Sequence, residues 1–301
     1  MKSFENELAF VTGGASGAGF AQAKAFGLAG ASVCIADVRA DALAGAADAL
    51  GDLDIEVHAI ELDVTDRTGY ASAADEVERV FGMPPTIVSH TAGVNSFGPV
   101  ERTTYDDFDW LIGVNLGGVI NGMVTFVPRM LASERPGHIL AVASVGGLEG
   151  SPVAAPYSAA KAGVINLMES YRKGLAPHGI GVSVCCPANI RTNIAEASRL
   201  RPAQYGRSGY AENADTIASL HAIHRHGMDP DMLARAILDG IRANELYIIP
   251  YPEVRDGLER HFGEILSAVP PLSSDPDGAR QRSEALATWV AGRRKALEKG
   301  E

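Results

Sequence analysis

The chain has 301 residues, with 26 Lys and Arg against 37 Asp and Glu, a formal net charge of −11. That balance excludes a general nucleic-acid binder, which needs a basic face to meet phosphates. A composition of 46% hydrophobic and 21% charged residues excludes disorder. At about 150 residues per domain the length suggests two domains, although one large α/β domain fits equally well. Such a chain builds its core without disulfides or metals. Its three cysteines, Cys34, Cys185 and Cys186, cannot all pair. They read as small buried hydrophobes in a reducing compartment, with a catalytic thiol as the sharper alternative.

The opening MKSFENELAF lacks a basic-then-apolar leader pattern, because Glu5 and Glu7 interrupt it. Residues 8–13 then read as a strand and 16–28 as a helix, with Phe20, Ala23 and Phe26 near helical spacing. A strand at 31–37 precedes a helix at 39–50, and a strand at 55–63 precedes a helix at 66–81 that Asp66 could cap. A strand at 86–93 leads to two helical stretches within 104–133. The acidic residues Asp106, Asp107 and Asp109 fit the first turn of a helix there. Residues 110–128 carry no charge over 19 positions, close to the ~20 needed to span a bilayer. Asn115, Asn121, Thr125 and four glycines in that stretch predict instead a buried helix of a soluble, cytoplasmic protein. Strands at 137–144, 180–187 and 246–251 follow, with a long helix at 155–177 between the first two.

The strands are continuously apolar, so both sheet faces are covered. An alternating strand–helix chain of this kind predicts a doubly wound parallel sheet of about seven strands with helices on both faces. Ligands then sit beyond the carboxyl ends of the strands, where the strand order reverses.

The first strand ends in Thr12-Gly13-Gly14-Ala15-Ser16-Gly17-Ala18-Gly19. Glycines let the backbone turn tightly against a diphosphate, and the following helix aims its N-terminus at that charge. Plain turn chemistry is the alternative. Asp37, at the end of the second strand, could accept hydrogen bonds from both ribose hydroxyls and would repel a 2′-phosphate, favouring NAD over NADP. Capping the helix from Arg39 is the alternative for Asp37, and Arg39 itself could accommodate a phosphate. Asp63 and Val64 close the third strand, where an adenine ring could rest. Tyr157 and Lys161 stand at i and i+4 of a helix, so phenol and ammonium share a face. A free Tyr has a pKa of ~10, and a nearby cation favours its phenolate. A half-buried Tyr beside a solvated Lys is the plainer reading of that pair. Ser144 ends a strand 13 residues earlier.

Over about residues 5–250 the sequence resembles the short-chain dehydrogenase/reductase family. The resemblance is carried by Thr12-Gly13 to Gly19, Asp63-Val64, Ala92-Gly93, Asn115, Ser144, Tyr157, Lys161 and the segment 187–192. It departs at His90-Thr91, where the family has Asn-Asn, and at Pro187-Ala188, where it has Pro-Gly. The resemblance implies a Rossmann-like fold with NAD as cofactor. Tyr157 would be the general base in alcohol oxidation, Lys161 would lower its pKa and bind the nicotinamide ribose, and Ser144 would bind the substrate oxygen. Asn115 would hold a relay water. Thr91, Ala92, Gly93, Pro187, Ala188, Ile190 and Thr192 would contact the cofactor. A homodimer or homotetramer through the helices at 104–133 and 155–177 is also implied.

The stretches 91–110, 115–131, 186–202 and 247–255 further resemble the bacterial Cα-dehydrogenases of lignin β-aryl ether breakdown. That resemblance implies NAD-linked oxidation of the benzylic secondary alcohol of guaiacylglycerol-β-guaiacyl ether to the α-ketone, with a lean towards the R alcohol. The long insertion at 190–228 could close over a two-ring substrate and exclude water, bringing Tyr205, Tyr210 and Leu220. Phe97, Leu148, Val153 and Tyr251 could add apolar wall, and Asn95, Asn189 and Asn193 could meet phenol, methoxy or hydroxyl groups. Loop packing is the alternative for each of them. His221, His224 and His226 form H-x-x-H-x-H, but no Cys or carboxylate completes the set and this chemistry needs no metal. An NADP-linked ketoreductase and a non-enzymatic nucleotide-sensing scaffold remain the alternative functions. The domain reading is one nucleotide-binding domain at 1–250 with a helical extension at 251–301, whose stretch 280–299 would place Ala285, Leu286, Trp289 and Val290 on one face.

Overall fold

Seven short apolar runs become the strands: β1 Leu8–Thr12, β2 Ser32–Asp37, β3 Val57–Glu61, β4 Ile87–His90, β5 Gly137–Val142, β6 Ile180–Cys185 and β7 Tyr247–Ile248. In this computed structural model, which describes residues 1–210 and 214–298, they pair in parallel in the order β3-β2-β1-β4-β5-β6-β7. Side chains alternate across each strand, so Leu8 and Phe10 enter one core layer while Ala9 and Val11 enter the other. This two-sided burial makes the runs continuously apolar. Helices α1 (Gly17–Leu28), α2 (Ala40–Gly51) and α8 (Pro230–Ala243) supply one layer. Helices α3 (Arg67–Phe81), α5 (Gly118–Ala132) and α6 (Ala155–Leu175) supply the other, where Phe126 sits 4.6 Å from Phe10 between ring centroids.

Local signals set the helix starts. The Asp66 carboxylate accepts from Thr68 N at 2.9 Å to cap α3. Thr104 opens α4 (Tyr105–Ile112) with a capping box, exchanging hydrogen bonds with Asp107. The two helical stretches expected within 104–133 join through a π-helical turn at Gly113–Gly117 into one rod, Tyr105–Ala132. The rod is long and apolar enough to cross a membrane by composition, yet Trp110, Leu111, Asn115, Met123 and Phe126 are packed inside the protein.

The insertion after β6 is more ordered than a bare loop. It holds 3₁₀ turns at Asn193–Leu200 and Ala203–Tyr205 and the helix α7 (Ala214–Arg225). It leaves and returns at one point, where Ile190 bridges to Met228. Helix α8 was not anticipated, although Asp229 caps it and Leu233, Ile237 and Ile241 repeat at four-residue spacing on its buried face. The chain divides into two compact units, Met1–Val254 and Arg255–Glu301. The second holds α9 (Arg255–Ser267) and α10 (Pro276–Glu298). On α10, Leu286 and Trp289 are each 62% exposed.

Candidate active site

The strand order reverses between β1 and β4, and the segments leaving those strands open a cleft of ≈ 690 Å³. Gly13 turns there at φ 69°, and a Cβ on it would lie 2.9 Å from the backbone of Ala92. A Cβ on Gly19 would lie 2.1 Å from Gly13 O. A backbone stripped of side chains therefore faces the start of α1, a cradle suited to the diphosphate of a dinucleotide. Ser16, Gly17, Ala18 and Gly19 line it.

Asp37, 7% exposed, stands at the end of β2 with its carboxylate filled by Arg39. Arg39 donates from Nε at 3.1 Å, from Nη2 at 3.2 Å and from its backbone N at 3.2 Å. Arg39 Nη2 also donates to Ser16 Oγ at 2.7 Å. The hydrogen bond to Asp37 raises the guanidinium pKa against the opposing effect of burial. Asp63, Val64, Thr91, Ala92, Gly93, Pro187, Ala188, Ile190 and Thr192 also line the cleft. Thr12 does not, contrary to expectation. It is 1% exposed, and its hydroxyl accepts from Thr91 N at 3.0 Å and Ala92 N at 3.2 Å, tying the ends of β1 and β4 together behind the cradle.

Ser144, Tyr157 and Lys161 meet in the middle of the cleft. The 3₁₀ turn Val145–Gly147 rests directly on α6, where a Cβ on Gly147 would fall 2.6 Å from Lys161 C. That close approach brings Ser144 Oγ onto the Tyr157 phenol. Burial raises the Tyr157 pKa, and the Ser144 hydrogen bond pulls it down in part. Lys161 Nζ lies 5.6 Å from the centroid of the Tyr157 ring and donates to Val142 O at 2.8 Å. Burial pushes the Lys161 pKa down to about 8. Burial therefore leaves the Tyr157 pKa above its ordinary value, opposite in sign to the sequence expectation. The Cys186 thiol is pushed up to about 12, first by burial, so it is neutral and no nucleophile.

Asn115 is fully buried in the π turn and hydrogen-bonded to protein throughout. Its Nδ2 donates to Val94 O at 3.0 Å and Leu111 O at 2.9 Å, and its Oδ1 accepts from Val94 N at 3.1 Å. Both side-chain donors are spent on the protein, so this amide clamps the segment after β4. Gly93 passes between it and the lysine: a Cβ there would lie 2.8 Å from Asn115 Oδ1 and 3.5 Å from Lys161 Nζ.

Of the residues expected to meet substrate, Asn95, Phe97, Asn189 and Tyr205 line the cleft. Four others do not. Leu148 packs on the sheet core, and Val153 is 45% exposed to solvent. Tyr210 lies over Gly98 with its hydroxyl 2.7 Å from Thr103 Oγ1. Tyr251 is buried in the opposite core layer and donates to Asn189 O at 3.1 Å. The side chains of Asn193, Leu220 and His221 lie outside the described residues. His224 lines the cleft with Nδ1 3.1 Å from Ile190 O, and His226 is exposed.

Sequence reasoning missed the wall formed by Trp110, Val114, Ile194 and Ala197, together with the ion pair that holds it. Arg201 Nη1 donates to Asp107 Oδ1 at 2.7 Å, with side-chain exposures of 8% and 0%. The guanidinium also lies 5.3 Å from the Trp110 ring centroid. These residues are 94 positions apart, and Asp107 announces only a helix start.

Comparison with known proteins agrees with this geometry. The short chain dehydrogenase family model matches residues 7–203. A C alpha-dehydrogenase of Sphingobium sp. (strain NBRC 103272 / SYK-6) is 65% identical over 301 residues, covering 100% of this chain and 99% of its own. The crystal structure of the LigD apo form from Sphingobium sp. strain SYK-6 superposes with a TM-score of 0.77 at 57% identity, over 89% of this chain and 100% of that one. A short chain dehydrogenase/reductase from Burkholderia phymatum in complex with NAD gives a TM-score of 0.83 at 30% identity, over 90% and 98%. Because the family match spans the cradle and the Ser144, Tyr157 and Lys161 cluster together, this chain belongs to the short-chain dehydrogenase family.

Proposed function

We propose that this protein is an NAD-linked alcohol dehydrogenase that oxidises the benzylic secondary alcohol of lignin-type β-aryl ethers, such as guaiacylglycerol-β-guaiacyl ether, to the α-ketone. One observation carries the chemistry: a continuous cleft runs from Asp37 past Ser144, Tyr157 and Lys161 to Phe97. The full-length identity to the C alpha-dehydrogenase supports the substrate class. The NAD complex of the Burkholderia relative supports the cofactor. So does Asp37, whose carboxylate engages Arg39 and disfavours a 2′-phosphate beside it.

In this reading Gly13 and the turn 16–19 seat the diphosphate, and Asp37 and Arg39 border the adenosine ribose. When bound, NAD supplies the hydride acceptor. Ser144 Oγ and the Tyr157 hydroxyl hold the alcohol oxygen, and Tyr157 Oη takes its proton as the carbonyl forms. Lys161, fixed to Val142 O, places positive charge beside the tyrosine and stabilises the phenolate against the burial that opposes it. Asn115 holds Val94 in place, and Trp110, Ile194 and Tyr205 wall the cleft against water.

The test is reduction of NAD and of NADP by the purified protein with each stereoisomer of the ether, beside simple benzylic alcohols. Faster turnover with NAD on the ether is expected, and Asp37→Ser should narrow the preference over NADP. Faster turnover with NADP would favour the ketoreductase reading, and failure to oxidise any ether isomer would refute the substrate assignment.

A further inference from the structure

We propose that Asn95 selects substrates by accepting a hydrogen bond from a hydroxyl group other than the one being oxidised. The inference rests on the benzylic-alcohol reading above and adds to it a residue and a chemical requirement.

Seven buried side-chain polar atoms among the described residues have no hydrogen-bond partner. Only two of them, Asn95 Oδ1 and Ser158 Oγ, belong to residues that line the cleft. A serine hydroxyl can rotate and either donate or accept, so it makes no demand on a ligand's chemistry. An amide oxygen accepts only, and a buried one without a donor is costly. Asn95 is 7% exposed, so solvent does little to satisfy it. A substrate hydroxyl reaching this oxygen would relieve that cost, and a substrate with an ether or a hydrogen in the same place would not. Sites built to hydrogen-bond a hydroxyl reject analogues that lack it far more strongly than apolar pockets reject an extra methylene.

The segment carrying Asn95 is held rigidly, as discrimination requires. Val94 is bonded at both N and O by the Asn115 side chain, at 3.1 and 3.0 Å. Gly98 N donates to Val153 O at 2.9 Å. The Tyr210 ring lies on Gly98 so closely that a Cβ there would meet it at 2.2 Å. Asn95 follows Gly93, which borders Lys161 Nζ, by two residues, and two extended residues span at most about 7 Å. One substrate molecule can therefore place its carbinol at Tyr157 and a second hydroxyl at Asn95. Two hydroxyls of a β-aryl ether alcohol qualify: a phenol on the ring, and a primary alcohol at the end of the side chain.

The experiment compares kcat/KM for three benzylic β-aryl ether alcohols. The parent carries both extra hydroxyls, one analogue has the phenol O-methylated, and one has the primary hydroxyl replaced by hydrogen. The native enzyme is expected to prefer the parent at least tenfold over one analogue, which identifies the hydroxyl that is read. Asn95→Ala is expected to lower the parent to the level of that analogue and leave the analogue within about twofold. Asn95→Leu, similar in volume and without the acceptor, gives the same readout if the smaller variant does not fold. Equal turnover of all three alcohols by the native enzyme would overturn the proposal. So would a preference that survives in either variant. If none of the three is oxidised, the benzylic-alcohol reading fails and the proposal falls with it, whereas oxidation without hydroxyl dependence defeats the proposal alone.

Discussion

Replacing Arg201 by Met should unfasten the segment that walls the cleft while leaving the sheet intact. In the native protein Arg201 makes three hydrogen bonds: to Asp107 Oδ1 at 2.7 Å, Tyr205 O at 2.8 Å and Gly206 O at 3.2 Å. Methionine keeps the packing on Trp110 and deletes the charge, leaving the Asp107 carboxylate buried without a counter-charge. Breaking a buried ion pair on one side costs about 3–5 kcal/mol. Asp107 retains bonds from Thr104 N at 2.9 Å, Thr104 Oγ1 at 2.8 Å and Gly209 N at 3.1 Å, so about 3 kcal/mol is the better figure. At 1.4 kcal/mol per decade that is roughly a hundredfold in the opening equilibrium. The segment has few ties to the sheet, so the cost should appear locally. Hydrogen exchange read by mass spectrometry should show amides of 201–209 exchanging about a hundredfold faster, with β1, β4 and β5 unchanged. KM for the two-ring alcohol should rise alongside. Unchanged exchange in 201–209, or a loss of protection shared equally by the strands, would refute the latch. Burial pushes the Asp107 pKa up, but the Thr104, Ser208 and Gly209 hydrogen bonds outweigh it and hold the carboxyl below its ordinary value. Its stabilisation is therefore present above the unfolded pKa of ~4 and lost only as pH falls through the lower folded value.

Tyr157→Phe should bind NAD with unchanged affinity and lose turnover by about 10³-fold, within the range for removing a general base; residual activity within tenfold would refute its role. Gly19→Ala should abolish dinucleotide binding, measured calorimetrically, because the new methyl falls 2.1 Å from Gly13 O. Burial lowers the His90 pKa to about 4, so the unfolded chain binds a proton that the folded chain refuses. Stability is then full above pH 6.5 and falls as pH drops towards 4, by about 3 kcal/mol at 1.4 kcal/mol per pH unit. His90→Asn should flatten that slope in denaturation measured between pH 7 and 4, and an unchanged slope would refute this source.

Elements governed by neighbours in the chain were legible without coordinates. The run at 8–11 is apolar at every position because both faces of β1 are covered, and Asp66 caps its helix through an amide two residues away. Gly13, Gly19, Tyr157 and Lys161 announced their site because spacing places them at one turn or on one helix face. Helices α7 and α8 were not expected from the sequence, although α8 carries a local signal in its capped start and four-residue spacing.

The sequence by itself determined the doubly wound sheet, the Gly-rich cradle and the Tyr157–Lys161 pair, all of which rest on short-range periodicity. Tertiary structure alone decided the dominance of burial at Tyr157, the clamping of Val94 by Asn115, and the orphaned oxygen of Asn95. It alone also paired Asp107 with Arg201. Desolvation and long-range hydrogen bonding depend on everything packed around a group, and no local pattern of residues encodes that surrounding.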